Sequence, residues 1–248
     1  CKPLFTLNQL PMLGRTIHAL TACGCTKILV NTHHLHRQIR RYVQTDFPDI
    51  DIRILHEPQI LDTGGAIANA RSSLSDAPFF VVNADILFSA DLSRLYHVHQ
   101  ESECLATLML HDCPRFNTIH LDDRHRVCDF DKGPSSLAFT GIQVLSPGIF
   151  DYFPDKSVFS SIDIYRDLCR ERLVNALVET DLYWSDMGTP RDYEKTSMQI
   201  LSAKALRLFD GIRLPGKKAM QAISISPLQG DGSDRRWFMS VHSEHSCI

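Results

Sequence analysis

A chain of 248 residues, 44% hydrophobic and 22% charged, can bury a sizeable core without staples. It suits one globular domain of roughly 200 residues plus an appendage. A net charge of −3 with no dense Lys/Arg run gives no basis for a nucleic-acid partner. No apolar stretch approaches the ~20 residues that span a bilayer, and no secretory signal is visible, so no membrane partner and a cytoplasmic location are expected.

The first residues, Cys1-Lys2-Pro3-Leu4, begin neither with Met nor with an ordinary leader, which reads as a start inside a longer protein. Leu10, Leu13, Ile17 and Leu20 recur at helical spacing, with Pro11 suited to the first turn and Gly24 to the stop. Lys27 to Asn31 is a continuous apolar run of the kind covered on both faces. Leu35, Ile39 and Val43 mark a second helix, and Ile52 to Leu55 a second strand. Ile67, Ala70 and Leu74 mark a third helix, capped by Asp62 or Thr63, before a strand at Phe79 to Val82. Strand and helix alternate with short links, so the first hundred residues predict a parallel sheet wrapped by helices. Ligands in such sheets bind at the carboxyl ends of strands, where Asn31, Glu57 and Asp85 fall.

From about Cys104 the pattern changes. Ala106 to Leu110, Thr118 to Leu121, Val127 to Phe130 and Phe139 to Leu145 are short strand-like pieces joined by polar turns. They predict a mixed or antiparallel extension that shapes a second pocket. A helix near Ser161 to Arg172, a strand at Val174 to Val178 and a short run Tyr183 to Asp186 follow. Met187-Gly188-Thr189-Pro190 then turns into a last helix running towards Leu208, with Thr189 as N-cap and Pro190 as first residue. Residues 1–208 are therefore read as one domain and 209–222 as a linker. Residues 223–248 read as strand, glycine turn and strand, too short for a domain of their own.

Eight cysteines form no C-x-x-C pair and read as reduced thiols. His33, His34 and His36 share no ligand spacing with them, so no zinc site is expected. The chemistry lies elsewhere. Leu61-Asp62-Thr63-Gly64-Gly65 reads as a glycine-opened helix start whose backbone N–H groups can meet an anion. Gly64 and Gly65 let a base or phosphate approach without a Cβ in the way, or simply start a helix. Asp85 and Asp186 each sit at a strand-like run, and two carboxylates with phosphate oxygens and water make a suitable Mg²⁺ site. Taken singly, either reads more readily as a turn residue or helix cap. Glu57 can accept N–H groups from a base edge or stay solvated. Lys2 can offer charge to a phosphate or to water. Asp131-Lys132 can reach a sugar phosphate or form a surface pair, and Phe139-Thr140-Gly141 can set backbone against a sugar or hold a packing glycine.

In order and spacing these segments resemble the sugar-1-phosphate nucleotidylyltransferases over about residues 1 to 205. Lys2-Pro3-Leu4 resembles the end of that family's lysine-proline signature, and Glu57-Pro58 through Gly65 its base-binding turn. Asn83-Ala84-Asp85 resembles its metal-binding aspartate segment, and Trp184 through Thr189 the segment of its second metal aspartate. Asp131-Lys132 and Phe139-Thr140-Gly141 resemble its sugar-site pair and sugar-contacting strand. The resemblance implies an α/β fold, a Rossmann-like and mostly parallel sheet flanked by helices, with a small mixed-sheet sugar-binding extension. It implies that Asp85 and Asp186 bind Mg²⁺ and that Lys2 touches phosphates. It places Glu57, Thr63, Gly64, Gly65 and Asn83 about the nucleotide, and Lys132, Gly141 and Asp163 at the sugar phosphate. The implied reaction joins a nucleoside triphosphate, UTP or GTP, to a hexose-1-phosphate, giving a nucleotide sugar and pyrophosphate. The N-acetylmuramate-1-phosphate uridylyltransferase branch, with a role in cell-wall recycling, fits best, and the mannose-1-phosphate guanylyltransferase branch is close.

The family's glycine-rich loop and first strand, expected before Lys2, are missing, so weak or no turnover is expected of residues 1–248 alone. Asp62 stands where many relatives carry glycine. Gly230 to Phe238 resembles the opening strands of aminoglycoside-phosphotransferase-like sugar kinases, which makes a fused sugar kinase an expected partner. Two other functions stay open: a nucleotide-sugar-dependent glycosyltransferase, and a non-catalytic nucleotide-sugar-binding module.

Overall fold

A computed structural model of the chain describes residues 2–131, 133, 136–206, 208, 213–228, 238–242 and 245–247. After a 3-10 turn at Lys2–Leu4 come β1 (Thr6–Leu7), β2 (Leu10–Pro11), α1 (Met12–Ala22), β3 (Lys27–Thr32), α2 (His36–Asp46), β4 (Asp51–His56) and α3 (Asp62–Asn69). Next are β5 (Phe79–Val82), β6 (Ile86–Phe88), α4 (Leu92–Gln100), β7 (Ala106–His111), β8 (His120–Leu121), β9 (Val127–Asp129) and β10 (Ala138–Leu145). The chain continues through α5 (Ser161–Arg170), β11 (Val174–Val178), β12 (Trp184–Asp186), α6 (Pro190–Ala205) and α7 (Lys217–Gln221). It closes with β13 (Ser224–Pro227), β14 (Phe238–His242) and β15 (His245–Cys247). The architecture is the expected Rossmann-like α/β. None of the helices among the described residues is long and apolar enough to cross a membrane.

The elements fall into two compact units, one holding residues 19–83 and 91–179, the other 2–18, 84–90 and the described part of 180–248. In the first unit β3 and β4 pair in parallel from Lys27↔Asp51 to Thr32↔His56. A second sheet runs β11-β7-β10-β5, with β11 and β7 parallel and the other pairs antiparallel. The strands expected as an extension therefore divide. All six residues of β7 are buried, and β10 is nearly as enclosed, so both become central strands. Only β8 and β9 form a small separate ribbon. The strand Phe79–Val82 joins β10 antiparallel, with Val82 opposite Ile142, instead of continuing the parallel pair. The core of this unit includes Leu108, Leu110, Ile119, Val127, Tyr165 and Val174.

The second unit is built around Leu7, Met12, Leu87, Tyr183, Met187, Ile200 and Met220. Its main helix opens as the sequence predicts, with the Thr189 hydroxyl accepting the Asp192 N–H at 3.2 Å and Pro190 in first position, and it ends at Ala205, short of Leu208. The stretch read as a linker contains α7, and Met220 on it is only 1% exposed. An amphipathic turn with a buried methionine is packed structure, not connective chain. Residues 209–212 of that stretch lie outside the described residues. β13 and β14 pair antiparallel, and a Ser202–Ser240 hydroxyl contact of 2.6 Å joins β14 to α6. The glycine turn expected between those strands, on which the kinase-like reading rests, falls on residues 229–237, outside the described residues.

The start of α3 is not capped by a side chain. Leu61 occupies the cap position, and Asp62 follows with φ +62°. That is the left-handed region which glycine enters freely and aspartate tolerates, which accounts for Asp at a position where the resemblance expects glycine. The Asp62 carboxylate accepts the Thr63 N–H at 2.6 Å. Gly64 and Gly65 then donate their N–H groups to one acceptor, the Phe159 carbonyl, at 2.9 and 3.2 Å. A Cβ at Gly65 would collide with the Ser157 carbonyl, and one at Gly64 with the Phe159 ring. The two glycines thus let the segment before α5 lie directly on α3.

Gly65→Ala is expected to lower stability by about 3 kcal/mol, because the added methyl meets a backbone oxygen that cannot rotate aside. Gly148→Ala, whose Cβ would meet only the tip of Leu105 at 3.1 Å, is expected to cost much less. Urea unfolding of both variants checks this.

His99, 2% exposed, is held by two hydroxyls: Thr107 Oγ1 at 2.8 Å from Nδ1 and Ser146 Oγ at 2.9 Å from Nε2. Burial pushes its pKa down to about 4. The unfolded chain binds this proton below about pH 6.5 and the fold does not, so stability is present above that pH and lost as pH falls towards 4. Between pH 7 and pH 5 the loss from this group is about 2 kcal/mol. His99→Gln should remove that part of the slope in urea unfolding measured across the same window.

Candidate functional site

The backbones of the two aspartates singled out by the sequence are neighbours in the second unit. β6 and β12 form an antiparallel ribbon with Ile86↔Asp186, Leu87↔Ser185 and Phe88↔Trp184. Met187 N–H donates to the Asp85 carbonyl at 3.1 Å, so the Asp85 and Asp186 backbones are diagonal neighbours at one end of the ribbon. Asp186 lies within the pleat. Asp85 lies in the turn just before it, so strand alternation does not bind its side chain to the opposite face. Gly188 completes the corner: a Cβ there would stand 2.8 Å from Asp186 Oδ2. The other end of the ribbon is fixed by Ser89 N–H to the Tyr183 carbonyl at 3.0 Å and by Tyr183 N–H to Ser89 Oγ at 2.9 Å. Ser185 Oγ lies 2.8 Å from Thr196 Oγ1 and ties the middle of the ribbon to α6. Lys2, in the same unit, is exposed in the opening 3-10 turn.

Among the described residues no group of three or more His, Cys, Asp or Glu is arranged to hold a metal. A pair of carboxylates is nevertheless the donor set on which Mg²⁺ is commonly held when substrate phosphates and water supply the remaining oxygens. Asp85 and Asp186 are of that donor chemistry and stand at adjacent backbone positions of the ribbon.

The first unit holds the residues expected about the base and the sugar. Glu57 follows β4 directly and is 4% exposed. Asn31 Nδ2 donates to its Oε1 at 3.2 Å, its own N–H donates to the Thr32 carbonyl at 2.7 Å, and its carbonyl lies 2.8 Å from His33 Nδ1. A carboxylate held this way is oriented, not loosely solvated. Asn31 lay at a strand end that the sequence marked, while His33 and its carbonyl contact were not foreseen. Their signal is the polar cluster Asn31-Thr32-His33 at the carboxyl end of an apolar strand.

Gly64 and Gly65 do not offer their N–H groups to an anion, because Phe159 already takes both. Thr63 turns towards α5: its Oγ1 accepts the Ser161 N–H at 3.0 Å and lies 3.1 Å from Ser161 Oγ. The helix start of α3 is thus joined to the segment that leads into α5. Asn83 donates its N–H to the Gly141 carbonyl at 2.9 Å, which brings these two expected residues together. Gly141 has φ +79° and sits where the β10–β7 register shifts, a bulge that also has Thr140 Oγ1 donating to the Met109 carbonyl at 2.8 Å. Asp163, in the first turn of α5, pairs with Arg166 at 3.5 Å and lines a shallow cleft with Tyr152, Lys156 and Asp167. Lys132 lies outside the described residues. Asp131, beside it, is exposed, and its carbonyl lies 3.0 Å from His120 Nε2.

Three similarities bear on this arrangement. D-glycero-alpha-D-manno-heptose 1-phosphate guanylyltransferase of Campylobacter jejuni is 27% identical over 195 residues, covering 77% of this chain and 87% of the relative. Probable mannose-1-phosphate guanylyltransferase 3 of Arabidopsis thaliana is 26% identical over 206 residues, and the match spans 77% of this chain but only 62% of the plant protein. The crystal structure of HddC from Yersinia pseudotuberculosis superposes with a TM-score of 0.67 at 24% identity, covering 80% of this chain and 89% of that one, and shares its fold. The Nucleotidyl transferase family profile matches residues 1–203, the span that carries both the glycine turn and the paired aspartates, and the chain belongs to that family.

Proposed function

We infer that the protein transfers a nucleoside monophosphate from a nucleoside triphosphate to a hexose-1-phosphate, releasing pyrophosphate and a nucleotide sugar. Family membership supports the reaction type. The single structural observation that carries the reading is the β6–β12 register, which sets Asp85 beside Asp186. We propose that these two carboxylates hold Mg²⁺, whose charge, when bound, offsets the charge that develops at the phosphates. Attack by the sugar phosphate oxygen on the α-phosphate needs no covalent enzyme intermediate, since positioning supplies the rate. Lys2 is assigned to the phosphates, Asn83, Thr63, Gly64 and Gly65 to the walls about the nucleotide, and Gly141, Lys132 and Asp163 to the sugar phosphate.

GTP is the proposed donor, ahead of UTP. Both sequence relatives described above are guanylyltransferases by name, and a related HddC structure is complexed with GMP-PN. Glu57 suits this choice. Guanine presents an N–H edge, and a carboxylate held by Asn31 accepts from it, whereas uracil offers one ring N–H and two carbonyls.

The test, on a full-length protein, is pyrophosphate release with each of four nucleoside triphosphates against mannose-1-phosphate, a heptose 1-phosphate and N-acetylmuramate 1-phosphate. Pyrophosphate formed only when both substrates are present, and fastest with GTP, is expected. Breakdown of a nucleotide sugar without pyrophosphate chemistry would point to a glycosyltransferase instead. Asp85→Ala and Asp186→Ala should each lower kcat by about 10³-fold or more with an unchanged circular dichroism spectrum. A near-wild-type rate for Asp186→Ala at saturating Mg²⁺ removes it from the ligand set.

A further inference from the structure

The aspartate corner stands on a ribbon of only three residues per strand, and a two-stranded ribbon of that length is marginal in water without an apolar face packed against something. Here that face is supplied by Leu87, Tyr183 and Met187, all buried, and they share one cluster with Leu7, Met12, Ile200 and Met220. Met220 is the outlier. It belongs to α7, beyond residue 203, where the family match ends.

A second contact ties α7 to the approach of β12. Asp181, exposed and two residues before Tyr183, accepts the Lys217 N–H on its carbonyl at 2.9 Å and the Lys218 N–H on its Oδ1 at 2.7 Å. These are first-turn donors of α7 that have no partner inside the helix. One residue therefore anchors the start of the helix to the strand that carries Asp186, while Met220, three to four positions on, fills the space behind that strand. Leu214 and Ile223, on either side of α7, pack partly buried on the same cluster.

We propose that α7 is a positioning element for the metal corner: Asp181 and Met220 hold the β6–β12 ribbon in the register that sets Asp85 and Asp186, so this segment past the family core governs divalent-cation affinity. Neither residue is one of the two proposed metal ligands. The proposal rests on the reading of the two aspartates as metal ligands. A ribbon free to shift or fray spreads its two carboxylates over many arrangements, and the affinity for a cation falls with the fraction that is correctly set.

The test uses the full chain and Mn²⁺ as the probe, its binding in the presence of GTP read from the electron paramagnetic resonance signal of free Mn²⁺. Asp181→Ala and Met220→Ala are expected to weaken Mn²⁺ binding about tenfold. Asp181→Asn, which keeps an acceptor oxygen, should bind as the wild type does. Leu108→Ala, a core truncation in the other unit, should lower the melting temperature and leave Mn²⁺ binding unchanged. Asp181 is exposed, so its variants decide the matter even where Met220→Ala fails to fold. If Asp85→Ala abolishes Mn²⁺ binding while Asp181→Ala binds normally, the positioning role is overturned and the ligand pair survives. If Asp85→Ala and Asp186→Ala both bind Mn²⁺ as tightly as the wild type, the ligand pair is wrong and the positioning role goes with it.

Discussion

The antiparallel pairing of β6 with β12 is the constraint on which the functional reading depends. It is made from three residue pairs and, at its two ends, the hydrogen bonds of Met187 N–H to the Asp85 carbonyl and Ser89 N–H to the Tyr183 carbonyl. Little intrinsic stability belongs to so short a ribbon. What fixes it is its surroundings: the Ser89–Tyr183 exchange at one end, the Ser185–Thr196 hydroxyl contact in the middle, and an apolar backing of Leu7, Met12 and Ile200 behind. Gly188 leaves the volume that the Asp186 carboxylate occupies. The carboxylates are thus set by many weak neighbours acting on two short strands. This is how a rigid scaffold prepares a site that has few strong bonds of its own.

The hydrogen bonding of the glycine turn differs from that of a phosphate cradle. A cradle needs unpartnered N–H groups aimed at an anion. At α3 the Thr63 N–H goes to the Asp62 carboxylate, and the next two go to the Phe159 carbonyl. The proposed base contact, Glu57, has its orientation fixed by Asn31 and by backbone contacts at both its N–H and its carbonyl. Recognition of a base by an oriented acceptor is selective, because the wrong base leaves a buried polar group unpaired. An anion cradle would grip any triphosphate alike.

Much of this was legible in the sequence, for physical reasons that differ from place to place. Thr189-Pro190 declared its helix because a cap hydroxyl and a proline are local devices that need no tertiary partner. The strands Val174–Val178 and Phe79–Val82 declared themselves by short, mostly apolar runs. Their partners did not. Antiparallel pairing of β5 with β10, and the central place of β7, depend on which apolar runs meet, and periodicity does not encode that. The α3 glycines show the same limit. Gly-Gly after Asp-Thr marks a close approach, but only coordinates reveal that the approaching group is the backbone at Ser157–Phe159. Met220 was hidden in a stretch rich in lysine, where one buried methionine has too little company to make a pattern.

The distance in sequence between the two aspartates raises a question of cost. Bringing together the ends of a flexible segment of that length opposes pairing by about 4 kcal/mol on a loop-closure scale, comparable with the burial of one or two large apolar side chains. The intervening chain is not flexible. Residues 91–179 fold within the first unit, and there β11 pairs with β7 while Arg94, near the entry, meets Glu179, at the exit, at 2.6 Å. The segment therefore leaves and re-enters at neighbouring points. With the first unit formed, the ends of its 91–179 segment are already held close by its own core. The Arg94–Glu179 pair itself is partly exposed and adds little energy, so the contribution comes from the β7–β11 pairing that places both ends.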